Sequence, residues 1–179
     1  LPSGRTHRRA ALDRDATVMS FEVRSQPISA TAFAPFGDLI STDGAPDMLI
    51  NQGLCGRFHD LAKLDFGEGR AGISLFDAVP RTLPYRLELV ERHPRGSQCF
   101  IPMSAHGFLV IVAADTAGVP GVPRAFRTQS GQAVNFHCGT WHGVLTPLQA
   151  PGLFAVVDRI GSDANLEEYH YPTAYNIVS

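Results

Sequence analysis

The tripeptide Pro94-Arg95-Gly96 divides the stretch from Glu88 to Met103 into two short runs in which apolar and polar residues alternate. Two such runs around a turn-forming tripeptide read as a β-hairpin. Successive side chains on a strand point to opposite faces, so Glu91 and His93 share one face. Closing the hairpin at Pro-Arg-Gly would bring Gln98 back beside them on the second strand. A carboxylate, an imidazole and an amide would then meet at one point. Unpaired charge on an inner face is costly, so such a cluster needs a chemical reason.

The rest of the chain is punctuated in the same way. Phe21-Glu22-Val23 alternates as a first strand, and Ser29 is suited to cap one helical turn through Phe33, which Pro35 and Gly37 end. Strands are expected over 38–40, 72–79, 133–137, 142–148 and 153–157, with a loop at 41–47 marked by Asp43-Gly44 and Pro46. Phe108-Leu109-Val110-Ile111-Val112 is an unbroken apolar run, the pattern of a strand covered on both faces. A Gly/Pro-rich loop spans 116–123, and Gly131 and Gly139 read as turn glycines. Short strands between frequent turn signals mean a β-sandwich or barrel with a few short helical turns.

Residues 19–179 are expected to form a single domain, long enough to bury a real core. Residues 1–18 read as a disordered N-terminal extension. Arg5, His7, Arg8, Arg9 and Arg14 crowd a segment with no apolar period and no run suited to a signal peptide or a membrane span. Asp13 and Asp15 count against a transit peptide, and Met19 is a plausible start. Charged residues make up 18% of the chain, below the usual share of about a quarter, which hints at a subunit interface. A net charge of −2 offers no electrostatic case for nucleic acid or an anionic membrane. Cys55, Cys99 and Cys138 form no Cys-x-x-Cys pair and cannot all pair with one another, which favours a reducing, cytoplasmic setting.

Two motifs carry a resemblance. The cupins place metal ligands as His-x-His, a four-residue turn such as Pro-Arg-x-Thr, then Glu. Glu91-Arg92-His93, Pro94-Arg95-Gly96-Ser97 and Gln98 match that spacing position for position. The second cupin motif is Gly, five residues, Pro-x-Gly, two residues, then His; here Gly131 leads to His137-Cys138-Gly139, Thr140-Trp141 and His142. Only the proline is exchanged, for His137. More narrowly, Glu91 to Met103 resembles the signature of the ureidoglycolate lyases, as do Asn51-x-Gly53, His59-Asp60-Leu61, Asn135-x-His137-x-x-x-Trp141-His142 and Asp158-Arg159-x-Gly161-Ser162-Asp163. The resemblance runs from Pro27 to Tyr169 and implies a mainly β, cupin-type barrel (a double-stranded β-helix, or jelly roll).

It also implies cleavage of (S)-ureidoglycolate to glyoxylate and urea in allantoin and purine degradation. Two alternatives are a ureidoglycolate amidohydrolase releasing ammonia and a non-catalytic cupin that binds a small carboxylate. His93 and His142 are the expected acid–base pair, with Glu91 assisting. A lone histidine is more often structural; two at ligand positions beside Glu91 and Gln98 favour a shared site. Gln98, Arg159, Arg57, His137 and Asn51 are candidates for substrate binding, an arginine being suited to the carboxylate. A turn-stabilising hydrogen bond is an equal alternative for His137, and Asp158-Arg159 reads more readily as a structural ion pair. Glu91, His93, Gln98 and His142 would hold a weakly bound divalent metal, nickel by resemblance, and no organic cofactor is expected. Gln98 is a poorer donor than the usual glutamate. The expected assembly is a homodimer, again by resemblance and by the thin surface charge.

Overall fold

The computed structural model describes residues 20–179, and the expected extension over 1–18 lies outside the described residues. The first strands are β1 (Phe21–Arg24), β2 (Gln26–Pro27), β3 (Gly37–Ile40), β4 (Met48–Ile50), β5 (Cys55–Arg57) and β6 (Arg70–Asp77). They continue as β7 (Tyr85–Arg92), β8 (Gln98–Pro102), β9 (Phe108–Ala113), β10 (Asp115–Thr116), β11 (Val119–Pro120) and β12 (Arg124–Arg127). The last are β13 (Ala133–Phe136), β14 (Trp141–His142), β15 (Thr146–Pro147), β16 (Leu153–Ile160) and β17 (Glu167–Val178). The α-helix α1 (Ala30–Phe33) is capped by Ser29, whose hydroxyl accepts from Ala32 N as its sequence position predicts, and a 3-10 turn spans Asn51–Gly53.

The larger sheet runs β1-β17-β7-β14-β9-β12-β2, with β15 added to β9; the second runs β3-β13-β8-β16-β6. β1 also comes back towards β12, so the larger sheet curls nearly closed. Every residue of β9 is buried, because the strand has an apolar core on each side. Phe108, Val110 and Val112 join Phe100, Phe136, Phe154 and Val156 between the two sheets. Leu109, Ile111 and Ala113 join Leu87, Val90, Trp141 and Ile177 on the other side. Two covered faces require an unbroken apolar run, which is what the sequence carries there.

The expected hairpin at Pro94-Arg95-Gly96 does not form. β7 pairs with β14 and β17, whereas β8 pairs with β13 and β16, so the turn carries the chain from one sheet to the other. The turn's polar groups are satisfied by other loops rather than by a ladder. Ser97 N donates to Asp65 O at 2.8 Å and Arg95 N donates to the Asn165 side chain at 2.8 Å. The single strand expected over 142–148 is two pieces, β14 and β15, and the loop over 116–123 contains the small β10–β11 ladder.

Candidate active site

Glu91 on β7 lies directly opposite His142 on β14 in an antiparallel pair, which puts both side chains on one face. His93, just past the end of β7, follows at the same parity. The alternate residues turn the other way. Val90 enters the second core, and Arg92 lies 4.4 Å over the Trp141 ring while pairing with Asp115 at 2.9 Å and Glu167 at 2.6 Å. Ligand atoms of Glu91, His93 and His142 all fall within 4.8 Å of one another. The two imidazole centroids are 5.4 Å apart, and Phe136 stacks on His142 at 4.3 Å with the rings 4° from parallel.

The hydrogen bonds set the tautomers. His93 Nδ1 is 2.6 Å from the Asn165 carbonyl and His142 Nδ1 is 3.0 Å from the Gly143 carbonyl. A carbonyl only accepts, so each Nδ1 carries a proton, and in the neutral ring the lone pair sits on Nε2. Both Nε2 atoms are buried without a protein partner. Burial pushes the His142 pKa down to about 3, with His93 adding to the shift, so this ring is neutral at physiological pH. Burial also raises the Glu91 carboxyl; His93 offsets part of the rise, and Glu168, opposite Glu91 on β17, adds to it.

Two imidazoles whose Nε2 atoms have no protein partner, beside a carboxyl group, make a cluster suited to a divalent cation. An imidazole whose other nitrogen donates to a carbonyl is the usual arrangement of a metal-ligating histidine. Gln98, buried on the facing sheet opposite Phe136, has an unpartnered Oε1, while its Nε2 donates to Asp158 Oδ2 at 3.4 Å. The residues therefore fit a metal of the kind that imidazole and carboxylate hold.

The other candidates stand elsewhere. His137 shares the outer face of β13 with Asn135, and its Nε2 is 3.0 Å from Asp38. Burial opposes ionisation of Asp38, but hydrogen bonds from Asn135 and Lys63 N, with His137 alongside, hold its pKa below the usual value. Arg159 donates to Phe66 O at 3.1 Å and to Asp163 at 2.7 Å, inside a sleeve formed by Gly69, Gly96 and Gly161. It borders a pocket of about 290 Å³ that also takes in Pro94 and Arg95, next to His93. Asn51 and Arg57 lie on the exposed β4–β5 hairpin, with Arg57 2.9 Å from His59 Nδ1. The structure thus joins Glu91, His93 and His142, and leaves Asn51, Arg57, His137 and Arg159 outside that cluster. Asp158 is not the ion-pair partner of Arg159; it contacts Gln98 instead. Sequence reasoning missed Phe136 and Asp158 at the site. Their alternation with Val134 and with Val156 was the available signal.

Residues 20–178 match the family described as ureidoglycolate lyase. The chain is 64% identical to a ureidoglycolate lyase of Rhodobacter capsulatus over 148 residues, 82% of this chain and 92% of that one. It is 48% identical to one from Chelativorans over 158 residues, 87% of this chain and 96% of the relative. Against ureidoglycolate lyase 2 of Rhizobium meliloti the identity is 47% over 154 residues, 85% and 94% of the two chains.

Proposed function

We infer the reaction from one premise: the chain belongs to the ureidoglycolate lyase family. The protein is a carbon–nitrogen lyase that cleaves (S)-ureidoglycolate to glyoxylate and urea, a step of allantoin and purine breakdown. One observation carries the choice of site: Glu91, His93 and His142 bring ligand atoms within 4.8 Å of one another, and both Nε2 atoms are buried without a protein partner.

In the substrate one carbon bears a carboxylate, a hydroxyl and the ureido nitrogen. When the hydroxyl loses its proton, the O–H electron pair forms the carbonyl of glyoxylate. The C–N pair leaves on the urea nitrogen, which gains a proton. One proton thus moves between two atoms on the same carbon, and a single group can accept and return it. Glu91 suits that role because it faces the cluster opposite His142 and burial raises its carboxyl above the usual value, which makes it a stronger base. His142, neutral and fixed by its Gly143 bond, supplies a lone pair rather than a proton. His93 completes the cluster, its ring held by the Asn165 carbonyl at Nδ1. The same three residues, with Gln98 Oε1, would hold a divalent metal, nickel by family resemblance, whose charge would favour ionisation of the hydroxyl.

The same reading takes the protein as a cytoplasmic homodimer. Its three cysteines are free, and no helix among the described residues is long and apolar enough to cross a membrane. The test is to add purified protein to racemic ureidoglycolate. The expected products are glyoxylate and urea without ammonia. Ammonia would point to hydrolysis of the ureido group, and binding without turnover of either enantiomer would point to a non-catalytic cupin.

A further inference from the structure

Asp158 is left by the reading above without a role, and its surroundings are unusual. On β16 it alternates with Phe154 and Val156, both in the core between the sheets, so its side chain faces the same interior. It lies opposite Gln98 on β8, and Gln98 lies opposite Phe136 on β13, the ring that stacks on His142. Asp158 therefore belongs to the wall that confronts the two imidazoles.

Its Oδ1 is buried with no hydrogen-bond partner. The neighbours offer none: on the other flank stands Gly72, and along the strand are Val156 and Ile160. Arg159 is committed to Phe66 and Asp163. Gln98 is 6% exposed and turns its Nε2 to the other carboxylate oxygen, since the reverse orientation would set oxygen against oxygen. Its own Oε1 is thereby aimed away from Asp158. A buried carboxylate oxygen with no donor costs stability, and folds retain such groups where a ligand completes them.

We propose that Asp158 recognises the ureido end of the substrate, with Oδ1 accepting the ureido N–H hydrogens. This rests on the lyase reading. Of the substrate's groups, only the ureido nitrogens and the hydroxyl can donate, and the substrate carboxylate is repelled by Asp158. A carboxylate oxygen is a strong acceptor for an N–H donor of a urea. Asp158 thus fixes which end of the molecule lies on the second sheet, and Gln98 holds its other oxygen in place.

The test is Asp158→Asn, which keeps the shape and turns an acceptor into a donor. The KM for ureidoglycolate should rise on the order of 10- to 100-fold, the loss expected for one charged hydrogen bond. Inhibition by urea should weaken by a similar factor, whereas inhibition by glyoxylate, which has no N–H, should not change. Nickel uptake should match the wild type, and the melting temperature should hold because the shape and an acceptor for Gln98 Nε2 are kept. Equal weakening of urea and glyoxylate, or of neither, would overturn the proposal. So would a melting point several degrees lower, which would make Asp158 structural. A wild type that turns over nothing would sink the lyase reading alone; calorimetric affinity for urea in the two proteins would still decide for Asp158.

Discussion

His142 is held from several directions at once: by its pairing opposite Glu91, by the Gly143 carbonyl at Nδ1, and by the Phe136 ring stacked 4.3 Å away. His93 has the Asn165 carbonyl at Nδ1 and the tilted His142 ring at 5.4 Å. The two histidines should therefore respond differently to truncation. His142→Ala empties a fully buried position and should cost roughly 2–3 kcal/mol of stability as well as activity. His93→Ala should lose comparable activity at little cost in melting temperature. Both should weaken nickel uptake at least about tenfold. Dialysis of the wild type against a chelator should depress turnover, and added nickel or manganese should restore it. Full turnover by protein shown metal-free by elemental analysis would remove the metal from the reaction. The parity that joins Glu91 to His93 is written in adjacent residues. The Asn165 carbonyl that fixes the His93 tautomer is 72 residues away, and no local pattern announces it.

The crossing between β7 and β8 is the element on which the site hangs. A Cβ at Gly96 would meet the Arg159 side chain at 2.7 Å and Asp65 O at 3.1 Å, so the turn can pass only without a side chain there. Gly96→Val should push the turn off its loops, cost about 1–3 kcal/mol, and lower activity by displacing His93; unchanged melting and turnover would contradict this. Asp115 joins the start of β10 to Trp141 on β14 and Arg92 on β7. The Trp141 N–H, followed by Gly118 N, holds the Asp115 pKa below its usual 3.8. A depressed carboxyl stabilises the fold above the unfolded value and loses that contribution as pH falls through the folded one. Asp115→Asn should therefore melt below the wild type at pH 7, with the gap closing below pH 3.8. A gap that stays constant across that range would mean the charge is irrelevant. Strand identity was legible here because apolar alternation and turn residues are local. Strand partnership was not: the Pro94-Arg95-Gly96 turn reads the same whether the chain doubles back or crosses to another sheet. β17 escaped notice because Pro172 interrupts a run of tyrosines and polar residues, and its ladder to β7 shifts register between His170 and Tyr175.

Among the described residues, a patch of exposed apolar side chains lies on the outer side of the second sheet. Ile73 and Leu75 on β6 are 78% and 64% exposed, and Ile101 and Met103 at β8 are exposed beside them. β6 is also an edge strand with one side of its backbone unpaired. The β4–β5 hairpin adds Leu49 and Leu54, both exposed, on a two-stranded element that is only marginally stable unless it packs on something. Bare edges and apolar faces of this kind invite association, and a two-fold pair is the simplest closed solution. The expected species is a dimer of twice 19.3 kDa that uses the outer face of β6 and β8. Light scattering at micromolar concentration checks the mass, and a monomer there would refute the expectation. The double substitution of Ile73→Lys and Leu75→Lys locates the interface, because both side chains point away from the core and a lysine there costs the monomer little. That variant should run as a monomer with its fold intact. If it instead keeps the dimer mass, the pair forms elsewhere, and the exposed hairpin at Leu49 and Leu54 becomes the next surface to substitute.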